Sequence, residues 1–402
     1  MKILQVSTSL SGGAGLAAER THQALLAAGI NSTLTTLSSA NREFSPSRNV
    51  KMISRNFPER LLSKLLTIIQ RNLIQKGPYL QTPLSIGIDP NRFDFREFEL
   101  IHIHSMYNMV SNSSLIKILD AKIPLVITLH DQRFTSGGCH GSMGCTNYLT
   151  NCNDCPQVYS FARPLVRSAY SKITSILEIY YRELLLITPS DWLNKTVISR
   201  FPKVNSRVIH NCVSAEFLQA KNKKNDELSE NKINIGFISL DLNNPYKGLL
   251  TLVSALESLD RKSRLEFRLV LIGKGDFSKQ IKDLEIRKLG EIEASELMDE
   301  MSNLDLLVVP SDQDNLPNVM CEALCLGVPV VGSRVGGIPE ILNQFELPLF
   351  SAGNSEELSN ILKNPKAIRA LTVDKELAKS LFSPKSYVEN LLAAYSQVMI
   401  DN

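Results

Sequence analysis

The stretch Pro310-Ser-Asp-Gln-Asp314-Asn-Leu-Pro317-Asn318-Val-Met-Cys-Glu322-Ala-Leu-Cys-Leu-Gly327-Val-Pro-Val330 decides how the fold is read. It overlaps two short apolar runs, 305–310 and 328–332, that have the length and composition of buried strands. Between them Pro317 stands at a first helical position and Gly327 just past a helix end, so the insert reads as a short capped helix. Strand, helix and second apolar strand make a parallel βαβ unit, whose sheet needs helices on both faces.

The same alternation extends outward. In the second half, residues 233–239 and 267–273 read as further strands; the first half repeats the pattern at 2–7, 100–104, 124–130 and 184–188. A first helix runs over 15–28 and is closed by Gly29. The fold class is therefore α/β, with two doubly wound, Rossmann-like halves facing a central cleft. Residues 221–232 are polar and charged and read as a surface connector, which places the boundary near residue 215.

Composition sets outer limits. The chain has 402 residues, 43% hydrophobic and 21% charged, with Gly 20 and Pro 18, which excludes disordered, collagenous and disulfide-scaffold classes. Lys+Arg 44 against Asp+Glu 41 leaves +3, which gives no ground for a nucleic-acid partner. No run reaches the roughly 18 apolar residues of a membrane span, and Met1-Lys-Ile-Leu-Gln-Val6 lacks a signal-peptide core. The expectation is a cytoplasmic protein, and seven cysteines, an odd number, suit free thiols or metal ligands.

In open parallel sheets the chemistry sits on loops after strands. After the first strand comes Ser9-Leu-Ser-Gly12-Gly13-Ala-Gly15, whose small residues let a phosphate approach backbone N–H groups at a helix start. The spacing is neither G-x-G-x-x-G nor a P-loop, and a simple tight turn is the competing reading. The helix opened by Pro317 offers N–H groups to a diphosphate in the same way. Asp314 before it is placed to accept from sugar hydroxyls, and Glu322 within it to grip a ribose diol. The competing reading is a capped helix with two solvated acids.

Asp314 and Glu322 stand in an acid-x7-acid spacing, and this segment resembles the E-x7-E motif of retaining glycosyltransferases of family 4, the glycosyl transferases group 1. The chain is similar to that family also at Gly12-Gly13, Thr128-Leu-His130-Asp131, Thr188-Pro-Ser190, Val208-Ile-His-Asn211, Lys247-Gly248 and Gly336-Gly-Ile-Pro-Glu340. The resemblance implies a GT-B fold. Its N-terminal acceptor-side domain would be 1–215 with a Cys-rich insertion at 137–156, its donor-binding domain 216–382, and its crossing C-terminal helix 383–402.

Carried over position by position, the resemblance makes His130, Asp314 and Lys247 the catalytic set. It makes Gly12, Gly13, Lys247, Asn315, Leu316, Pro317, Asn318 and Glu322 the donor-binding set, with Lys247 on the diphosphate, Asp314 on the sugar and Glu322 on the ribose. No cofactor is implied for catalysis, because a lysine and helix amides stabilise the charge gained by a leaving nucleoside diphosphate. The implied partners are a nucleotide-diphosphate sugar donor and a glycan or lipid-linked acceptor of surface polysaccharide biosynthesis. Two positions depart from the family pattern: Asp314 replaces its glutamate, and Leu242 stands where it has an arginine five residues before the lysine. Competing functions are a sugar-nucleotide 2-epimerase of the same fold and a non-catalytic nucleotide- or glycan-binding subunit. Asp312-Gln-Asp314 also reads as a metal-binding D-x-D, which the helix signature and two-domain layout argue against.

Three further features complete the reading. Cys139, Cys145, Cys152 and Cys155 fall within 17 residues and end in C-x2-C, a pattern that fits one closed structural zinc site or a set of buried free thiols. His102 and His104 alternate on one strand and so face one side, without a metal role. Residues 60–76 form a basic, Leu- and Ile-rich helix, expected to pack on the domain core, with peripheral contact to the inner membrane face as the second reading.

Overall fold

The computed structural model describes residues 1–37, 48–77, 80, 86–219 and 232–400. They form two compact units, Met1–His210 with Pro384–Asn402, and Asn211–Ser383. The division falls between His210 and Asn211, a few residues before the position read from the sequence; the expected connector, apart from Lys232, lies outside the described residues.

The first unit is built on a parallel sheet of β1 (Lys2–Ser7), β2 (Asn31–Leu37), β3 (Val50–Ile53), β4 (Leu100–Ile103), β5 (Leu125–Thr128), β6 (Leu184–Thr188) and β7 (Asn205–Val208), in the order β3-β2-β1-β4-β5-β6-β7. The second is built on β8 (Ile233–Asp241), β9 (Phe267–Lys274), β10 (Glu285–Gly290), β11 (Leu306–Val309), β12 (Val330–Ser333) and β13 (Leu349–Phe350), ordered β10-β9-β8-β11-β12-β13 and also parallel. Both are doubly wound α/β units. In the second, Leu307 and Val309 of β11 feed one apolar cluster while Leu306 and Val308 feed the other, so both faces are covered.

Five strands escape sequence reading. β3, β7, β10 and β13 are sheet edges, and Asn205-Ser-Arg-Val208 and Glu285-Ile-Arg-Lys-Leu-Gly290 carry the polar groups that edges tolerate. β2 reads Asn31-Ser-Thr-Leu-Thr-Thr-Leu37, in which buried threonines replace the apolar signal. The first helix is Gly12–Ala27, so its first turn contains glycines taken from sequence as loop. Gly12 has φ +75°, and a Cβ on Gly15 would meet the Ser9 carbonyl oxygen at 2.6 Å. The helix after β11 is Asn318–Leu326, with Pro317 its N-cap instead of its first residue and Gly327 (φ +81°) its C-cap. The closing helix Pro384–Ile400 belongs to the first unit, packing on Gly12–Ala27, β5 and β6.

The expectation that residues 60–76 pack on the domain core holds only for their C-terminal end, where Ile69 and Ile74 join the cluster around Cys139 and Tyr170. Phe57–Ile69 is an α-helix with a capping box at Asn56 and Glu59, yet none of its residues is buried. Phe57 is 78% exposed and Leu61 59%, with Leu62, Leu65 and Ile68 close to half. Its capping end, Ile69 and the turn Gln70–Ile74 that follows hold the helix to the unit. Among the described residues, no helix is long and apolar enough to cross a membrane.

Candidate active site

Strand order places the second unit's candidate residues. β8 and β11 are neighbours where the winding reverses, so the loops leaving their carboxyl ends meet. One carries Lys247 and the other Asp314, and Lys247 Nζ lies 2.6 Å from Asp314 Oδ2. The same oxygen accepts from Ser311 Oγ at 3.3 Å. Two glycines allow this approach. A Cβ on Gly248 (φ +74°) would sit 1.8 Å from the Pro310 carbonyl oxygen, and one on Gly336 (φ +54°) 1.6 Å from that of Asp314. The Gly337 N–H donates to the Asn315 carbonyl at 2.7 Å, tying the loop after β12 to that after β11.

Glu322 lies one turn into the Asn318–Leu326 helix and is 2% exposed. Asn315 and Leu316 are buried, and the Asn318 side-chain oxygen accepts from Asn211 Nδ2 at 3.1 Å. Leu242, standing where the resembling family has arginine, is buried in the apolar cluster beneath β8, so its position supplies no cation. Lys247 occupies Asp314 Oδ2, one oxygen of the D-x-D pair; among the described residues no group of three or more His, Cys, Asp or Glu is arranged to hold a metal.

The first unit holds Gly12, Gly13 and His130. Gly12 and Gly13 open the Gly12–Ala27 helix, and His130 follows two residues after β5. His130 Nε2 lies 3.4 Å from His104 Nδ1 and the two rings stack. Behind them, His104 Nε2 meets Gln5 Oε1 at 2.7 Å, Gln5 Nε2 donates to Tyr395 Oη at 3.3 Å, and that oxygen lies 2.7 Å from His102 Nδ1. His102 Nε2 reaches Thr128 Oγ1 at 2.7 Å. Gln5 of β1 and His102 of β4 are paired in register, which is why one buried network crosses three strands and reaches the closing helix. Burial lowers His102 to about 3 and His130 to about 4, the latter opposed by the Asp131 charge, and holds His104 well below its ordinary value. Asp131 itself pairs with Arg133 and with His140 Nδ1 at 3.1 Å.

Beyond His130 the chain enters the Cys-rich insertion. Short turns at Gln132–Thr135, Asn147–Leu149 and Ser160–Ala162 carry it onto a cluster of Cys139, Cys152, Cys155, Ile74, Leu80, Val158 and Tyr170. All four cysteines are free thiols, Cys145 half-buried, and as placed they do not form a metal shell. A hydrogen bond with Cys139 brings Cys155 down to about 7 and pushes Cys139 up, while burial raises Cys152 to about 11. Packing against Ile74 and Tyr170 ties this segment to the unit.

Sequence reasoning found the loop residues but missed Gln5, His104 as a partner of His130, and Tyr395. Polar residues inside otherwise apolar strand and helix patterns were the available signal.

Residues 232–364 match the family described as glycosyl transferases group 1. Among curated proteins, the chain is 25% identical over 255 residues to one described as a colanic acid biosynthesis glycosyl transferase, WcaC of Escherichia coli (strain K12), covering 61% of each. It is 29% identical over 133 residues to sulfoquinovosyl transferase SQD2 of Arabidopsis thaliana, 31% of this chain and 24% of that one. It is 27% identical over 116 residues to a teichuronic acid biosynthesis glycosyltransferase, TuaC of Bacillus subtilis (strain 168), 29% of each. The chain thus spans at most about three-fifths of the length of these relatives. Sucrose-phosphate synthase from Thermosynechococcus elongatus shares the fold, with a TM-score of 0.64 over 100% of both chains at 16% identity. The second unit therefore carries a glycosyl transferases group 1 domain, and the chain has glycosyltransferase homologues.

Proposed function

We propose that this protein is a retaining glycosyltransferase of the family 4 type that moves a sugar from a nucleoside-diphosphate donor to a glycan or lipid-linked acceptor in surface polysaccharide assembly. The Lys247–Asp314 pair at the reversal point of the group 1 domain carries this reading. In this reading Lys247 and the N–H groups at the start of Asn318–Leu326 stabilise the departing diphosphate, Asp314 meets the donor sugar, and Glu322 holds the ribose. The bond from the anomeric carbon to phosphate oxygen breaks, and the acceptor oxygen bonds to that carbon on the same face. The acceptor proton passes to the departing phosphate, so the protein supplies no base.

Thermal unfolding against UDP, GDP, ADP, TDP and CDP tests the donor site, each at about a hundred times its dissociation constant, where linkage adds roughly 2.7 kcal/mol. A rise with one nucleotide supports it; none with any overturns it. The burial of Leu242 favours a second reading, a nucleotide-binding subunit that binds donor without turnover. An epimerase would convert the nucleotide sugar with no acceptor present, which product analysis with donor alone separates.

Two subsidiary readings accompany the proposal. The exposed apolar face of Phe57–Ile69, flanked by Arg60 and Lys64, supports peripheral contact with the inner face of an anionic membrane. The four-thiol segment supports structural zinc only if its side chains rearrange. About one zinc per purified chain by elemental analysis would support that reading, and none would remove it.

A further inference from the structure

A cavity of about 1140 Å³ opens on the first unit, with His130 and His104 on its wall. Its charge balance is one-sided. Arg133, Arg167 and Lys172 line it, against Asp131 as the sole acid. Asp131 is already paired with Arg133 and His140, so its charge is spent. Arg167 and Lys172 stand on the Arg163–Ile179 helix, and among the described residues neither makes an ion pair or hydrogen bond. Two uncompensated cations beside one cavity raise its affinity for an anion.

The same helix gives the cavity an apolar side. Leu165, Ile176 and Ile179 line it, Leu165 and Ile179 being exposed. Ser168, Ser171 and Ser175 also line the cavity and supply hydroxyls suited to a phosphate or a sugar.

We propose that this cavity is the acceptor site and that its acceptor carries a negatively charged group, held by Arg167 and Lys172, next to an apolar or ring-faced portion lying on Leu165, Ile176 and Ile179. This rests on the glycosyltransferase reading, because His130 is what relates the cavity to sugar transfer. The anion is either the phosphate of a lipid carrier or the carboxylate of an acidic glycan.

Isothermal titration calorimetry on the full chain with farnesyl phosphate, methyl glucuronide and farnesol as probes decides it. Farnesyl phosphate or methyl glucuronide binds, naming lipid phosphate or acidic glycan as the source, and farnesol does not match the better of them. Arg167→Gln/Lys172→Gln weakens that binding by about tenfold or more, and Arg167→Lys/Lys172→Arg retains it. Binding of neither anion, or equal binding by the Gln double variant, overturns the proposal. The nucleotide unfolding panel, run on the same samples, reads the donor site separately. A nucleotide shift with no anion binding leaves the transferase reading and removes this one; anion binding with no nucleotide shift overturns the transferase reading and with it the acceptor role, and leaves an anion site alone. Both cations lie on an exposed helix face, and equal unfolding temperatures show that the double variant is folded.

Discussion

Lys247 Nζ and Asp314 Oδ2 lie 2.6 Å apart although 67 residues separate them in sequence. The lysine side chain is 36% exposed, so solvent screening keeps the pair's contribution to stability small, about 1 kcal/mol or less. Its value is geometric: each side chain holds the other at the tips of adjacent strands. Lys247→Ala is expected to lower nucleoside-diphosphate affinity by about tenfold to a hundredfold with little change in unfolding temperature without ligand. Calorimetric titration beside a thermal scan checks both halves; a large loss of stability with unchanged affinity would make the pair structural.

Glu322 is deeply buried, so its replacement should preserve shape. Glu322→Gln keeps volume and removes charge, and it is expected to weaken nucleoside binding by about tenfold while inorganic diphosphate binding is unchanged. Equal losses for both ligands would place Glu322 on the phosphates, or in the fold, and not on the ribose.

The histidine network fixes a tautomer. Gln5 Nε2 donates to Tyr395, so its oxygen accepts from the Nε2–H of His104. A neutral His104 then presents Nδ1 as acceptor, and His130 Nε2 donates to it. Nitrogen NMR of labelled protein should show the proton of His130 on Nε2, and Gln5→Leu should abolish that preference and lower turnover more than it lowers donor affinity. A proton on Nδ1 in the wild type contradicts the assignment.

These imidazoles also set a response to acid. Their folded values lie below the ordinary 6.5, His130 at about 4, so between those limits the unfolded chain binds more protons than the folded one. Stability is complete above about pH 6.5 and falls as pH drops toward 4. Unfolding temperatures across that range should decline in the wild type, and less steeply for His102→Gln once corrected for its own loss of stability; parallel slopes would assign the acid response to other groups.

The Phe57–Ile69 helix makes a claim about surfaces. Flotation with vesicles containing about 30% phosphatidylglycerol should carry the protein, with salt and Leu61→Ser/Leu65→Ser each reducing the bound fraction several-fold. Because both leucines are exposed, the substitutions are expected to leave folding intact. Equal binding to neutral vesicles would remove the anionic preference, and a change of oligomeric state on substitution without any vesicle binding would make the face a protein contact.

Pattern alone determined the α/β class, eight of the nine interior strands and the loop residues, because buried parallel strands are continuous apolar runs and Pro317 and Gly327 punctuate a helix whatever surrounds them. Asp314 and Glu322 were legible for the same reason: their spacing is local. The tertiary structure decided what depends on strand order. That Lys247 meets Asp314 follows from β8 lying beside β11, and that Gln5, His104, His130 and Tyr395 join one network follows from β1, β4 and β5 being neighbours beneath the closing helix. Nor does amphipathic spacing say which face a helix buries. Residues 60–76 have the spacing of a packed helix, and only the placement of the Gln70–Ile74 turn against Leu80 and the cysteine cluster leaves Leu61 and Leu65 facing outward.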